Sequence, residues 1–361
     1  MKRIKLGYEE LTLVINSIVD REFTIRSEIL GIDLLKVDYL HGKIIDIADK
    51  KRFEFACTHL DPYMKRILPS YLGFRDALQV AGLLPPPNLQ RVLASIKEKL
   101  EEHYRDRLLH PREPVLALDS NVLYLTFCRN YLRDLSPSPS LLVSDVVRDE
   151  ISRNCNKTAD PKEISSLRRY FQQRLSKPPI YVYGKMKNYV GRRAYVALQE
   201  LDHLPRAFRV YNAPGSGSGD RALISSYVRF QQEHNVDAIL LTFDRRIQAI
   251  AHPYGLSSIL VEQSENVTSA SYDHIKLPWL LYALAVYFMS IRVEGEKAWI
   301  RLLGEWRGKS TEEWINGILW IEIKEKAVDR VLATYNRLLR LRKLYGTNSS
   351  KYYFGLFNQF E

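Results

Sequence analysis

Hydrophobic positions in the middle of the chain alternate between short apolar runs and longer amphipathic segments. Four runs, over residues 115–118, 141–143, 238–242 and 255–262, are rich in apolar residues, which is typical of strands buried on both faces. Residues 144–152, with Ser144 as N-cap, and residues 220–232 have helical spacing. Residues 178–184 indicate one further strand. Strands that alternate with helices predict an α/β fold with a parallel sheet covered by helices on both faces.

The segments on either side follow different patterns and predict accessory units. Residues 1–110 mix strand-like and ambiguous runs and end in an amphipathic helix over residues 88–109, which predicts a mixed or helical N-terminal unit. Residues 266–361 predict a mainly helical unit, with an apolar run at 277–291, a strand-like run at 297–306 and a long helix at 324–345. The apolar run has 15 residues, fewer than the about 20 that span a bilayer, so we expect a buried core helix. The central domain is therefore expected at residues 111–265.

Composition narrows the class of protein. With 46% hydrophobic residues, the 361-residue chain has enough apolar side chains to bury a core and is not disordered by composition. Its three cysteines form no CxxC pair, which argues against a disulfide scaffold or a zinc knuckle and favours a reducing compartment. No apolar run follows the basic residues at the start of the chain, so a cytoplasmic protein without membrane association is expected.

Positive charge is concentrated in one part of the central segment. The net charge is +11, and residues 152–209 alone contain 13 Lys and Arg against 4 Asp and Glu. Such a surplus favours a polyanionic partner. Basic and aromatic residues interleave there in a pattern that suits phosphate contacts and base stacking: Arg168, Arg169, Tyr170, Phe171, Tyr189, Arg192, Arg193 and Tyr195. The alternative is an amphipathic helix with an ordinary solvated basic face.

Four carboxylates stand at positions where a parallel sheet would gather them. Asp119 ends the run 115–118, and Asp244 follows the run 238–242. Asp220 begins a helix after the stretch GSGSG, and Glu150 lies in the helix after Ser144. The carboxyl ends of parallel strands and the helix starts that follow them meet at one edge of a sheet. Four acids there would repel one another, and oxygen ligands without nearby His or Cys favour Mg²⁺ or Mn²⁺. Taken singly, each acid has an ordinary alternative as a helix cap, a turn residue or a solvated side chain.

The order of these acids resembles the PIN-domain ribonucleases. The segments LALDSNVLY, SDVVRDEI, GDRALI and ILLTFDRRI match a strand that ends in Asp-(Thr/Ser)-Asn, a Glu on a following helix, an Asp that opens a later helix and a strand that ends in Thr-x-Asp. The resemblance covers residues 115–262, less than half of the chain. It implies a PIN-like three-layer fold in which Asp119, Glu150, Asp220 and Asp244 bind the metal. The 70-residue separation of Glu150 and Asp220 departs from a minimal domain of this family and contains the basic insertion at 152–209.

The resemblance also implies roles for neighbouring residues. Thr242 and Ser120 become polar helpers of the catalytic acids, and Asn121 orders the loop beneath them. Contacts to substrate are expected from six residues of the site and the basic insertion: Ser120, Asn121, Arg168, Arg169, Arg192 and Arg193. Arg221 and Arg245, which directly follow two of the acids, are expected to join them.

The function implied is metal-assisted hydrolysis of phosphodiester bonds by an endoribonuclease. One or two Mg²⁺ or Mn²⁺ ions would lower the pKa of a bound water and neutralise charge on the phosphate. Three alternatives stay open: a PIN-like scaffold that binds RNA without cutting it, a structure-specific DNA nuclease, and a toxin-type nuclease, which the long flanking segments disfavour. The predicted helix at 324–345 either packs on the core or pairs with a second subunit, so a homo-oligomer also stays open.

Overall fold

The computed structural model describes residues 2–106, 108–109, 111–174, 186–264 and 276–323, together with the single positions 333 and 337. These residues form a five-stranded parallel sheet flanked by helices and a seven-stranded antiparallel sheet. The predicted strand at 178–184 lies outside the described residues. So does the predicted helix at 324–345, apart from positions 333 and 337.

The N-terminal segment alternates short strands and helices. Its described elements, in chain order, are β1 (Lys2–Gly7), α1 (Leu11–Ile18), β2 (Glu22–Ser27), β3 (Ile32–Asp38), β4 (Lys43–Ile47), α2 (Lys50–Cys57), α3 (Met64–Ile67), α4 (Tyr71–Val80) and α5 (Leu89–Arg105). The predicted helix at 88–109 is α5, which buries Val92, Ile96 and Leu100 at intervals of four residues.

The central segment has the alternating pattern that the sequence predicts. Its described elements are β5 (Glu113–Leu118), α6 (Ser120–Tyr124), β6 (Ser140–Ser144), α7 (Asp145–Cys155), α8 (Pro161–Arg174), α9 (Tyr189–Ala207), β7 (Val210–Ala213), α10 (Asp220–His234), β8 (Val236–Thr242), α11 (Arg245–Ala251) and β9 (Ser257–Leu260). The strands predicted at 115–118, 141–143, 238–242 and 255–262 are β5, β6, β8 and β9. Ser144 caps α7 as predicted, because its hydroxyl accepts a hydrogen bond from the backbone N–H of Val146 at 3.1 Å.

The parallel sheet has the strand order β7-β6-β5-β8-β9. The chain builds outward from β5 to β6 and β7, and then crosses to the other side of β5 to form β8 and β9. The boundary between β5 and β8 is therefore a topological switch point, where open α/β sheets bind their ligands. The prediction of an α/β fold with a helix-flanked parallel sheet is confirmed.

The described C-terminal segment consists of α12 (Leu277–Tyr287), β10 (Ser290–Gly295), β11 (Trp299–Leu303), α13 (Thr311–Ile315) and β12 (Ile318–Ile323). A mainly helical unit is predicted there, but residues 276–323 hold three strands and two helices. The apolar run at 277–291 is not one helix. The chain turns at Met289, whose φ is 64°, and Ser290 begins a strand.

The two flanking segments share one antiparallel sheet. Its strand order is β1-β12-β11-β10-β2-β3-β4, so the three C-terminal strands lie between the first and second strands of the chain. Arg301 on β11 ties the two segments together, with Nε 2.5 Å from Glu28 Oε2 and Nη1 2.7 Å from Glu322 Oε2. The sequence predicts two separate flanking units, whereas their strands form a single sheet.

Helix α12 joins the flanking sheet to the rest of the molecule. Every one of its residues is buried, and it contacts α4, α9, β10 and β11. This agrees with the buried core helix expected from the sequence. In the described part of the chain, no helix is both long enough and apolar enough to cross a membrane.

Candidate active site

Asp119 is a buried carboxylate at the carboxyl end of the central strand β5. Its side chain accepts hydrogen bonds from Thr242 Oγ1 at 2.8 Å, from Asn121 Nδ2 at 3.3 Å and, more weakly, from Ser120 Oγ at 3.4 Å. The residue is 2% exposed, and burial raises the pKa of the Asp119 carboxyl above its ordinary value. The hydrogen bonds from Thr242 and Asn121 act against this change in pKa, and the nearby charge of Asp244 adds to it.

The geometry argues against the alternative that Asp119 is simply a helix cap. The residue stands at the N-cap position of α6, but its side chain makes no capping hydrogen bond. Its carboxylate instead faces Thr242 across the switch point. A carboxylate buried in this way, with hydroxyl and amide partners alone, lacks a compensating positive charge.

Thr242 connects the ends of the two central strands. Its hydroxyl donates to Asp119 Oδ2 at 2.8 Å and accepts from the backbone N–H of Asp244 at 3.0 Å. Asp244 follows β8 and caps α11, where its Oδ1 accepts from the backbone N–H of Arg246 at 2.7 Å. The capping alternative for Asp244 is therefore real, although one cap bond leaves its second oxygen available.

Glu150 and Asp220 join this group from the two neighbouring connections. Glu150 lies on α7 after β6, and Asp220 is the first residue of α10 after β7. Burial raises the pKa of the half-buried Glu150 carboxyl. The neighbouring Ser120 hydroxyl and the charge of Arg153 lower this pKa, whereas the charges of Asp119 and Asp220 raise it further. The structure thus brings all four acids into one electrostatically coupled group.

The glycine-rich stretch before Asp220 serves as the turn into α10. Gly217 and Gly219 have φ values of 95° and 85°, a region that residues with a Cβ rarely occupy. Gly215 lies so close to β6 and α10 that an added Cβ would approach Ser144 Oγ at 3.1 Å and Ser226 Cβ at 3.1 Å. The backbone at Gly215 is therefore closely packed against the elements that carry the site.

Tyr227 supports the end of β5 and is not predicted from the sequence as part of the site. Its hydroxyl donates to the carbonyl of Leu118 at 2.5 Å and accepts from the backbone N–H of Ser144 at 3.3 Å. The side chain therefore fixes the strand ends that carry Asp119 and α7. In the sequence, Tyr227 is one more inward residue of an amphipathic helix, and nothing in its spacing reveals the hydroxyl's partners.

Carboxylate and hydroxyl oxygens are suitable ligands for a hard cation such as Mg²⁺ or Mn²⁺. None of the four carboxylates forms an ion pair with a described Lys, Arg or His, and the nearby charge of Arg153 offsets part of the repulsion felt by Glu150. However, among the described residues no group of three or more Asp, Glu, His or Cys side chains is arranged to hold a metal ion. The donor types fit a divalent cation, while the side chains as they stand do not form a closed ligand set.

Arg192 cannot contact substrate as the sequence predicts. Its side chain is fully buried and donates hydrogen bonds to the carbonyls of Lys187 at 2.8 Å, Ile67 at 2.5 Å and Tyr287 at 3.2 Å. Burial lowers the pKa of its guanidinium to about 10. Arg192 therefore joins α9 to the N-terminal segment and to α12, and is not available to a phosphate.

Among the described residues of the insertion, four more of those predicted to contact RNA pack within the protein. Arg193 pairs with Asp76, with Nη2 3.1 Å from Oδ2. Phe171 is buried, and the ring of Tyr195 stacks on Trp314 with centroids 4.7 Å apart, so neither ring is free to stack on a base. Tyr170 donates to the carbonyl of Ile29 at 2.6 Å. The aromatic residues thus follow the alternative of an amphipathic helix.

The remaining predicted arginines differ in their exposure. Arg168 is half-buried and Arg169 is exposed on α8, which packs on α3. Arg221 and Arg245 are exposed, each directly beside one of the four acids in sequence. Of the arginines predicted to touch substrate, these last two have the position that the prediction requires.

Comparison with known proteins gives similarity to solved structures and no match by sequence. No family model matches this sequence, and no curated protein matches it. Among solved structures, the chain is similar to a domain of a functionally unknown protein from Methanocaldococcus jannaschii DSM 2661. The sequence identity is 15%, the match covers 44% of this chain and 99% of that chain, and the TM-score is 0.27. A similarity of this size carries no argument about function, which has to be argued from the site.

Proposed function

We propose that the parallel-sheet domain is a PIN-like nuclease that cleaves RNA internally through the carboxylates Asp119, Glu150, Asp220 and Asp244. The proposal depends mainly on one observation, the buried Asp119 carboxylate that faces Thr242 at the switch point without a compensating cation. A cap or a solvated acid would not need to be buried there. The coupling of Glu150 to Asp119 and Asp220, and of Asp119 to Asp244, extends this argument to the whole group.

Each residue has a distinct task in the proposed reaction. A Mg²⁺ or Mn²⁺ ion bound by the four acids would supply a water of lowered pKa and would offset the charge on the scissile phosphate. Thr242 holds the Asp119 carboxylate in place and links it to the backbone of Asp244. Ser120 lies beside both Asp119 and Glu150, and its one hydroxyl proton can be donated to either of these two carboxylates but not to both at once. Arg221 and Arg245 are exposed and positively charged beside the acids, where they would contact phosphates.

The test is cleavage of a labelled, mixed-sequence single-stranded RNA with Mn²⁺ or Mg²⁺. The wild-type chain is compared with Asp119→Asn and Asp244→Asn, and each reaction is repeated with EDTA. Asp149→Asn is the matched control, because Asp149 is an exposed acid next to Glu150 and its substitution changes the net charge equally. We expect cleavage by the wild type and the control, and loss of cleavage in both site variants and in EDTA.

Other outcomes would replace the proposal. Cleavage by Asp119→Asn at the wild-type rate would exclude this site. Salt-sensitive RNA binding without cleavage under any metal would favour a binding scaffold. Preferential cleavage of branched or flapped DNA in a parallel assay would favour a structure-specific DNA nuclease.

A further inference from the structure

A groove with a volume of about 640 Å³ lies beside α11, between that helix, α5 and β9. Three of its apolar lining residues, Ile239, Leu256 and Ile259, are buried or half-buried and form the floor. The lining side chains of Lys99, Arg245 and His252 are exposed and form the rim. The groove therefore combines an apolar base with a polar, basic edge.

The charged side chains that line the groove are all basic, and they have no partner within the described chain. None of its lining residues is Asp or Glu. Within the described chain, the side chains of Lys99, Arg245 and His252 form no ion pair or hydrogen bond. Two other exposed basic residues nearby differ in this respect, since Arg91 pairs with Glu262 and Lys97 with Glu101. Unpaired basic side chains around a concave surface attract an anionic ligand.

The groove begins next to the candidate active site. Arg245 directly follows Asp244 and opens α11, and His252 directly follows the last residue of α11. A helix of that length extends about 10 Å, so the basic rim leads from the acids along the side of the sheet. The opposite wall comes from Ser95 and Lys99 of α5, which belongs to the N-terminal flanking segment.

We propose that this groove binds single-stranded RNA where the strand continues away from the cleavage site. Phosphates contact Lys99, Arg245 and His252, and a base lies against the apolar floor. Binding of this kind combines backbone neutralisation with base packing and does not depend on sequence. The inference rests on the proposed function for its choice of ligand, and it gives the N-terminal segment a role in holding substrate through α5.

The experiment measures binding in EDTA, so that cleavage does not enter. The full-length chain, the double variant Lys99→Ala/His252→Ala and the control Lys97→Ala are titrated into two fluorescently labelled single-stranded RNAs. One RNA is a dinucleotide, which is too short to follow α11, and the other is long enough to follow it. Lys97 is exposed on the same helix but does not line the groove.

On a single strand, each neutralised phosphate contributes a slope of about −0.7 to log K against log salt, which is roughly a fivefold change in affinity at about 0.1 M salt. We expect the double variant to bind the long RNA at least about fivefold more weakly and with a smaller salt slope. Its affinity for the dinucleotide should match that of the wild type, and Lys97→Ala should bind both RNAs normally. Thermal unfolding of each variant verifies that the chain is folded.

Two results would overturn the proposal. The first is a double variant that binds the long RNA as tightly as the control does. The second is an equal loss for both RNAs, which would mean that the effect is not confined to the groove. Loss of long-RNA binding in a protein that cleaves under no metal would support the groove while refuting the nuclease. Normal cleavage with an unaffected double variant would refute the groove alone.

Discussion

Replacing Asp119 with asparagine should stabilise the metal-free protein while destroying its proposed activity. Asparagine has nearly the same shape as aspartate and keeps an oxygen that can accept the hydrogen bond from Thr242. What the substitution removes is a negative charge on a side chain that is 2% exposed and close to Asp244. Residues at catalytic sites often carry such a cost, which is why removing them can raise stability.

The sign of the effect follows from the direction in which the pKa of Asp119 changes on folding. Because burial raises this pKa in the folded protein, the folded state holds the proton more tightly than the unfolded state does. The wild type is therefore relatively stable below the ordinary Asp pKa of about 3.9 and loses that contribution as the pH rises through the raised value. A tenfold difference in proton affinity between the folded and unfolded states corresponds to about 1.4 kcal/mol. On that scale we expect Asp119→Asn to be more stable at pH 7 by on the order of 1 kcal/mol, or about 2 °C in Tm.

The assay is urea and thermal unfolding of wild type, Asp119→Asn and the exposed-site control Asp149→Asn, in EDTA, at several pH values from 4 to 7. The gain of Asp119→Asn should be largest at pH 7 and should shrink as the pH falls towards the ordinary pKa of Asp, because the raised pKa lets the folded wild type take up the proton more readily than the unfolded chain does. Adding Mn²⁺ should reverse the order, because a ligand at about ten times its Kd stabilises the wild type by about 1.4 kcal/mol and the variant much less. A variant that is less stable than wild type at pH 7, or a difference that does not change with pH, would refute the reasoning.

Two further substitutions test the support of the site. Arg192→Met should lower the free energy of unfolding by about 3–5 kcal/mol in urea denaturation, because it removes a buried charge that donates to two buried carbonyls and one part-buried carbonyl. Unchanged stability with weakened RNA binding would restore the substrate-contact role. Thr242→Val should reduce cleavage about 10–100-fold with little change in shape, since it removes the hydroxyl between Asp119 and Asp244, and Thr242→Ser should recover most of the rate in the same assay. Equal rates for Val and Ser would show that the hydroxyl does not act.

The parallel sheet was predictable because its signal is local. β5 and β8 are buried on both faces, so each appears in the sequence as an unbroken apolar run that ends in a polar residue. The missed strand β7 has four residues and is mostly part-exposed or exposed, with an asparagine among them. An edge strand of that kind needs little apolar surface, and its existence depends on pairing with β6.

The antiparallel sheet was not predictable in the same way. β1 pairs with β12 and β10 pairs with β2, so segments from opposite ends of the chain form one sheet. The paired strands have an ordinary alternation of buried and exposed residues, and a strand with this pattern is compatible with many partner strands. The choice among partners comes from tertiary packing, including the contacts of Arg301 with Glu28 and Glu322, which no local pattern contains.

The same distinction separates the site residues. Asp119 and Asp244 stand out in the sequence because each interrupts apolar surroundings. Arg192 does not, because a buried arginine and a substrate-binding arginine are written identically in a helix with charged neighbours. The guanidinium of Arg192 donates hydrogen bonds to the carbonyls of Ile67 and Tyr287, which lie far from it in the sequence. Counting charges therefore identified a basic segment, but it could not show that Arg192 in this segment is buried and cannot contact substrate.

The flanking segments are tied to the site through Arg192 and α5. Arg192 anchors α9 to the N-terminal segment and α12, and α5 from that segment forms one wall of the groove beside Asp244. The antiparallel sheet is thus connected to the parallel-sheet domain through buried polar contacts, which are costly to break when one partner is removed. We therefore infer that residues 111–265 expressed alone would expose the surface of α9 that the flanking segments cover, and would lose Lys99 from the groove. The flanking segments would then contribute both to the folding of the domain and to its hold on substrate.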